Sequence, residues 1–186
     1  IAELGIELDI NEYLQDMVSG TSAWDKALAA GVPADRVAAC RAGRNRLYQR
    51  LLVERDIEIP GVGELLASLA SRYSMAIVTT ARREDFELIH AERDLVRHMD
   101  FVLASGDYPQ AKPAPDPYLR ALEKYSARPE QALVIEDSQR GLQAAVAAGI
   151  DCVVVANNFV RGQDFSAATH LIESLAELPA LLTSLE

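Results

Sequence analysis

Residues 132–149, Ala132-Leu-Val-Ile-Glu-Asp-Ser-Gln-Arg-Gly-Leu-Gln-Ala-Ala-Val-Ala-Ala-Gly149, decide the fold. Ala132 to Ile135 is a short apolar run with no alternation and reads as a strand. Glu136-Asp137-Ser138 breaks it. Gln139 to Ala148 has helical spacing, and Gly149 ends it. Cys152 to Val155 is then a second solidly apolar strand. Strands apolar on both faces and joined by a helix imply a parallel sheet covered on both sides.

The same texture extends outward. Upstream lie strands at Met75–Thr79 and Phe101–Ala104, with a helix over Asp85–Leu95 between them. Asp116 is expected to cap a helix whose first residue is Pro117. Downstream come a short strand at His170–Ile172 and a last helix from Leu175 to Leu182. Before Pro60 the pattern is helical only. Asn11–Val18, Ala23–Ala30 and a longer helix opened by Pro33 are separated by Gly20 and Gly31.

The chain has 186 residues, of which 49% are hydrophobic and 25% charged, ordinary globular values that exclude a disordered or fibrous chain. No apolar run approaches a membrane span, so no membrane partner is expected. A formal net charge of −10 argues against a nucleic-acid binder. Cys40 and Cys152 match no metal or redox spacing, which points to a reducing, cytoplasmic setting. A monomer or weak homodimer is expected.

In parallel sheets ligands sit at the carboxyl ends of the strands. The first strand ends in Thr79-Thr80, whose hydroxyls and following amides suit a phosphate oxygen; the alternative is a helix cap. After the second strand comes Lys112, in a loop stiffened by Pro109, Pro113 and Pro115 that can aim an ammonium; the alternative is a solvated lysine. It is one of only three lysines, with Lys26 and Lys124. The third strand ends in Glu136-Asp137, paired carboxylates that suit Mg²⁺, unless Asp137 or Ser138 serves only as helix cap. Hydroxyl, amine and paired acids are the set that phosphoryl transfer needs.

From Pro60 onward the chain resembles the haloacid dehalogenase superfamily, in the branch with a helical cap. The motifs that carry the resemblance are Ala76-Ile-Val-Thr-Thr80, Lys112-Pro-Ala-Pro-Asp-Pro-Tyr-Leu119 and Ile135 to Gly149. The resemblance implies a Rossmann-like, three-layer α/β core of parallel strands over 60–186 and an α-helical cap domain over 1–59. It implies Mg²⁺-dependent phosphoryl transfer on a small phosphorylated metabolite through an aspartyl-phosphate. Thr79 and the Thr80 amide would bind phosphoryl oxygens, Lys112 would neutralise charge, and Asp137 would hold Mg²⁺ with Glu136 in or beside its shell. A sugar phosphomutase of the same branch and a catalytically inactive binding protein or fragment are the alternatives.

One family motif is absent: a strand ending in Asp-x-Asp, whose first Asp is the nucleophile. No Asp-x-Asp occurs in the 186 residues, and Ala111 stands where the family usually has Gly before the lysine. Asp9, in Leu-Asp-Ile-Asn11, is expected to be a surface or cap residue. The chain begins at Ile1, so the first core strand and the nucleophile are expected upstream, on roughly two dozen further residues. The arginines crowding the third helix, Arg36 to Arg55, read as a solvated face or as a contact for an anionic substrate.

Overall fold

The structure, a computed structural model, describes residues 2–7, 9–157, 160 and 162–185. The chain divides into two compact units, 1–57 and 58–186.

The N-terminal unit holds α1 (Ile10–Ser19), α2 (Ala23–Ala29) and α3 (Ala34–Glu54). The starts of α1 and α2 follow from capping chemistry. The Asp9 carboxylate accepts from the Asn11 and Glu12 amides and caps α1, while Ser22 accepts from the Trp24 amide to open α2. Gly20, at φ 76°, closes α1 in the left-handed region that glycine adopts without strain. The core of this unit is small: Leu4, Ala27 and Val37, with Ile6, Trp24, Val32 and Cys40 against them. Lys26 adds a bridge between helices, 2.5 Å from Glu12 and 2.6 Å from Asp16.

The second unit alternates helix and strand: α4 (Val62–Ala70), β1 (Ala76–Arg82), α5 (Arg83–His90), β2 (Phe101–Ser105), α6 (Asp116–Tyr125), β3 (Leu133–Glu136), α7 (Gln139–Ala147), β4 (Asp151–Val155), β5 (His170–Ile172) and α8 (Leu178–Leu185). All strand pairings are parallel. Successive residues of β3 and β4 face opposite layers. Val134, Cys152 and Val154 pack with Tyr118 and Leu122 of α6 and Leu142, Ala144 and Ala145 of α7. Leu133, Val153 and Val155 pack with Leu65 and Leu69 of α4 and Leu178 of α8. The result is helix, sheet, helix, the three-layer arrangement expected. Leu142, Val153 and Val154 are fully buried, and each contributes roughly 1.5–3 kcal/mol of burial.

The structure differs from the sequence expectation at several points. The strands form two sheets, β1-β2 and β3-β4-β5, because β1 and β3 share no ladder. β1 continues past Thr79 to Arg82, and between Val78 and Arg82 its register against β2 slips: Val78 pairs Leu103, yet Arg82 pairs Ser105. Four steps on β1 thus match two on β2, a bulge spanning the two threonines. The helix after β1 ends at His90 rather than Leu95. Finally, α6 starts one residue early: Asp116 lies inside it, Pro115 is the N-cap, and no side chain caps it.

Candidate active site

The ends of β1 and β3, the loop after β2 and the start of α7 surround one cavity of about 710 Å³. Thr79, Thr80, Lys112, Glu136 and Asp137 all line it, so the residues singled out at the strand ends meet in one place. Val78, Ile135 and Val155, with Leu65 and Leu175, are among its apolar lining residues. Ile135 is 39% exposed despite its apolar strand.

Lys112 and Glu136 form the centre. Their charged atoms are 2.5 Å apart, and their side chains are only 8% and 9% exposed. The ammonium also donates to the Val78 carbonyl at 3.0 Å and lies 4.6 Å from the Tyr118 ring centroid. Glu136 Oε1 accepts a second bond from the Tyr118 hydroxyl, 2.8 Å away. Glu136 Oε2 accepts from the Asp137 amide, the Ser138 amide and the Ser138 hydroxyl. Five donors therefore hold one carboxylate. Burial alone would push its carboxyl up, but the Lys112 charge, with these hydrogen bonds, holds it below the ordinary range. Burial and the neighbouring carboxylate push the Tyr118 hydroxyl far upward, so it stays a phenol and a donor.

Asp137 behaves differently. Its carboxylate, at the cavity wall, is pushed up in pKa by partial burial and by the charge of Glu136. Its chemistry fits the known habit of Mg²⁺, which takes one or two carboxylates and completes its shell with water and phosphate oxygens. Glu136, by contrast, has both oxygens engaged by protein donors. Among the described residues no cluster of three or more His, Cys, Asp or Glu could hold a metal by itself.

The bulge sets the threonines. The Thr79 hydroxyl accepts from the Ala81 amide at 3.1 Å, and the Thr79 carbonyl accepts from the buried Tyr108 hydroxyl at 2.7 Å. Thr80 Oγ1 lies 3.2 Å from a guanidinium nitrogen of Arg140, which also lines the cavity. Ser138 is the helix cap that the sequence offered as an alternative for this segment: it accepts from the Gly141 amide while donating to Glu136.

Four residues of the site escaped the sequence reading: Tyr108, Tyr118, Arg140 and Gly141. Tyr118, Arg140 and Gly141 lie within the motifs that carry the resemblance, and Gly141 also stands out because glycine inside a helix is unfavourable by about 1 kcal/mol. Here a Cβ would stand 1.9 Å from the Glu136 carboxyl carbon. His90, His98, His170 and Asp9 are not among the cavity's lining residues.

A family model described as haloacid dehalogenase-like hydrolase matches residues 8–155. Protein CbbY of Rhodobacter capsulatus is 35% identical over 154 residues, which cover 80% of this chain and 68% of that protein. A phosphoglycolate phosphatase of Nitrosococcus oceani is 31% identical over 140 residues, 74% of this chain and 62% of that one. The chain spans about two thirds of the length of these curated relatives. Among solved structures, a mutant CbbY from Rhodobacter sphaeroides in complex with xylulose-1,5-bisphosphate superposes with a TM-score of 0.76 at 27% identity, covering 95% of this chain and 84% of that one.

Proposed function

The chain belongs to the haloacid dehalogenase-like hydrolase family, and on that premise we propose that its cavity binds a small phosphorylated metabolite and serves hydrolysis of the phosphate monoester. The observation that carries this reading is the convergence of Thr79 and Thr80 of β1, Lys112 of the loop after β2 and Asp137 after β3 on one cavity. Relatives that include a phosphoglycolate phosphatase favour hydrolysis.

Each residue has a task suited to its surroundings. An ammonium has three donors; Lys112 commits two, to Glu136 and Val78. The third is left for a phosphoryl oxygen, and Glu136 fixes where it points. Thr79, on the bulge, offers its hydroxyl proton, since the hydroxyl's recorded bond uses it as acceptor. The Thr80 amide is the matching backbone donor. Asp137 would hold Mg²⁺, which when bound neutralises charge on the phosphoryl oxygens. An attacking carboxylate is still required. Glu136 is engaged by five donors, and the Asp-x-Asp segment to which the resemblance assigns the attack does not occur in residues 1–186.

Turnover of p-nitrophenyl phosphate with Mg²⁺ tests the reading. The protein carrying an Asp-x-Asp strand is expected to be active, residues 1–186 alone inactive, and Asp9→Asn without effect, because Asp9 caps α1. Activity of residues 1–186 that vanishes in Asp9→Asn would make Asp9 the nucleophile. No phosphatase activity in any form would remove the proposal.

A further inference from the structure

Two cationic side chains line the cavity among the described residues, Lys112 and Arg140. Lys112 is neutralised by Glu136 at 2.5 Å. Arg140 makes no ion pair among the described residues; its recorded contact is the 3.2 Å bond to the Thr80 hydroxyl. A guanidinium carries five donors in a planar fork that matches carboxylate and phosphate oxygens two at a time. Here a half-buried fork, held at one corner by Thr80, lines the cavity with no ion-pair partner among the described residues.

The two cations are attached at different heights on β1. Lys112 is bonded to Val78 and Arg140 to Thr80. Two strand residues advance at most about 7 Å. A phosphoryl group held by Lys112, Thr79 and the Thr80 amide takes the third donor of Lys112, and the remaining donors of the Arg140 fork are left for another anion of the substrate. We infer that Arg140 is a specificity residue that receives a second anionic group, a carboxylate or second phosphate, on the leaving group. Small metabolites with two anionic ends would then be preferred over monoesters with neutral leaving groups. This role rests on the proposal that the cavity takes a phosphate monoester.

Calorimetry separates the two ideas without needing turnover. Matched ligands differ only in the second anion: phosphoglycolate against ethyl phosphate, and xylulose-1,5-bisphosphate against the corresponding monophosphate. The first pair reports on a carboxylate and the second on a phosphate. Wild type is expected to favour the doubly anionic member of at least one pair by about 10- to 100-fold, the value of a charge-assisted hydrogen bond. Arg140→Gln should bring that ratio close to one and leave the singly anionic ligand within about threefold, and Arg140→Lys should restore part of the ratio. An unfolded fraction lowers the stoichiometry but not the ratio, so misfolding cannot mimic the result. A wild-type ratio near one in both pairs, or equal loss of both members in Arg140→Gln, overturns the role of Arg140 while the monoester proposal stands. Failure of wild type to bind any of the four ligands overturns both.

Discussion

Gly141 makes room for Glu136: a Cβ on the glycine would lie 1.9 Å from the carboxyl carbon and 2.1 and 2.2 Å from its two oxygens. The neighbour cannot yield cheaply, because five donors fix that carboxylate. Gly141→Ala, normally a helix-stabilising change, should instead destabilise the protein and displace Glu136 from Lys112. Overpacking of this kind costs about 1–3 kcal/mol. Denaturant melts check it, and a variant as stable as wild type would show that Glu136 can leave its seat freely.

Lys112→Ala should lower kcat by about 10²–10³, the loss seen when a comparable electrostatic donor is removed. It should also destabilise by about 3–5 kcal/mol, since it leaves Glu136 buried without its countercharge. Lys112→Arg should keep more stability but not the full rate, because a planar fork does not replace a compact ammonium. Near-normal kcat in both variants would take Lys112 out of the chemistry.

Acid should unfold the second unit partly through Glu136. Its carboxyl is held below the ordinary value in the folded state. Its contribution is therefore complete above the ordinary Glu pKa and is lost as pH falls through the lowered one. Glu136→Gln should be less stable than wild type at neutral pH and show a shallower loss towards acid. Parallel pH profiles of the two proteins would contradict this.

Asp137 has the opposite sign. Its carboxyl is pushed up, so a proton competes with Mg²⁺ at higher pH than for an ordinary Asp. The Mg²⁺ concentration needed for half-maximal activity should rise as pH falls towards the acid range. In Asp137→Asn it should be higher throughout and lose most of that pH dependence. Equal Mg²⁺ affinity in wild type and Asp137→Asn, by calorimetry, would remove Asp137 from the metal's shell.

Much of this arrangement could be read from local sequence. The segment from Leu133 to Gly149 announces itself because an apolar run, a Ser cap and a terminating Gly lie within one short window. Thr79, Lys112 and Asp137 could be selected because topology alone brings strand ends together. What resisted reading depends on contacts remote in sequence. That Glu136 is fully engaged follows from Tyr118 and Lys112, 18 and 24 residues away. Arg140, in the first turn of a helix, has the look of a solvated residue until Thr80, 60 positions earlier, is found beside it. The extension of β1 to Arg82 was hidden because Ala81 and Arg82 do not continue the apolar run, and a bulge leaves no compositional mark.

The division into two sheets also has a consequence in time. β4 is paired on both sides, by β3 and by β5. β1 and β3 each have a ladder on one side only among the described residues, and Val78 and Ile135 from these strands line the cavity. Amides in a doubly paired strand open only with the whole unit, whereas those on a one-sided edge are released by local fluctuations. In deuterated water Val153 and Val154 should therefore keep their protons longest. In residues 1–186 the backbone of β1 and β3 that frames the cavity should surrender its protons early, and a ligand that fills the cavity should slow that exchange.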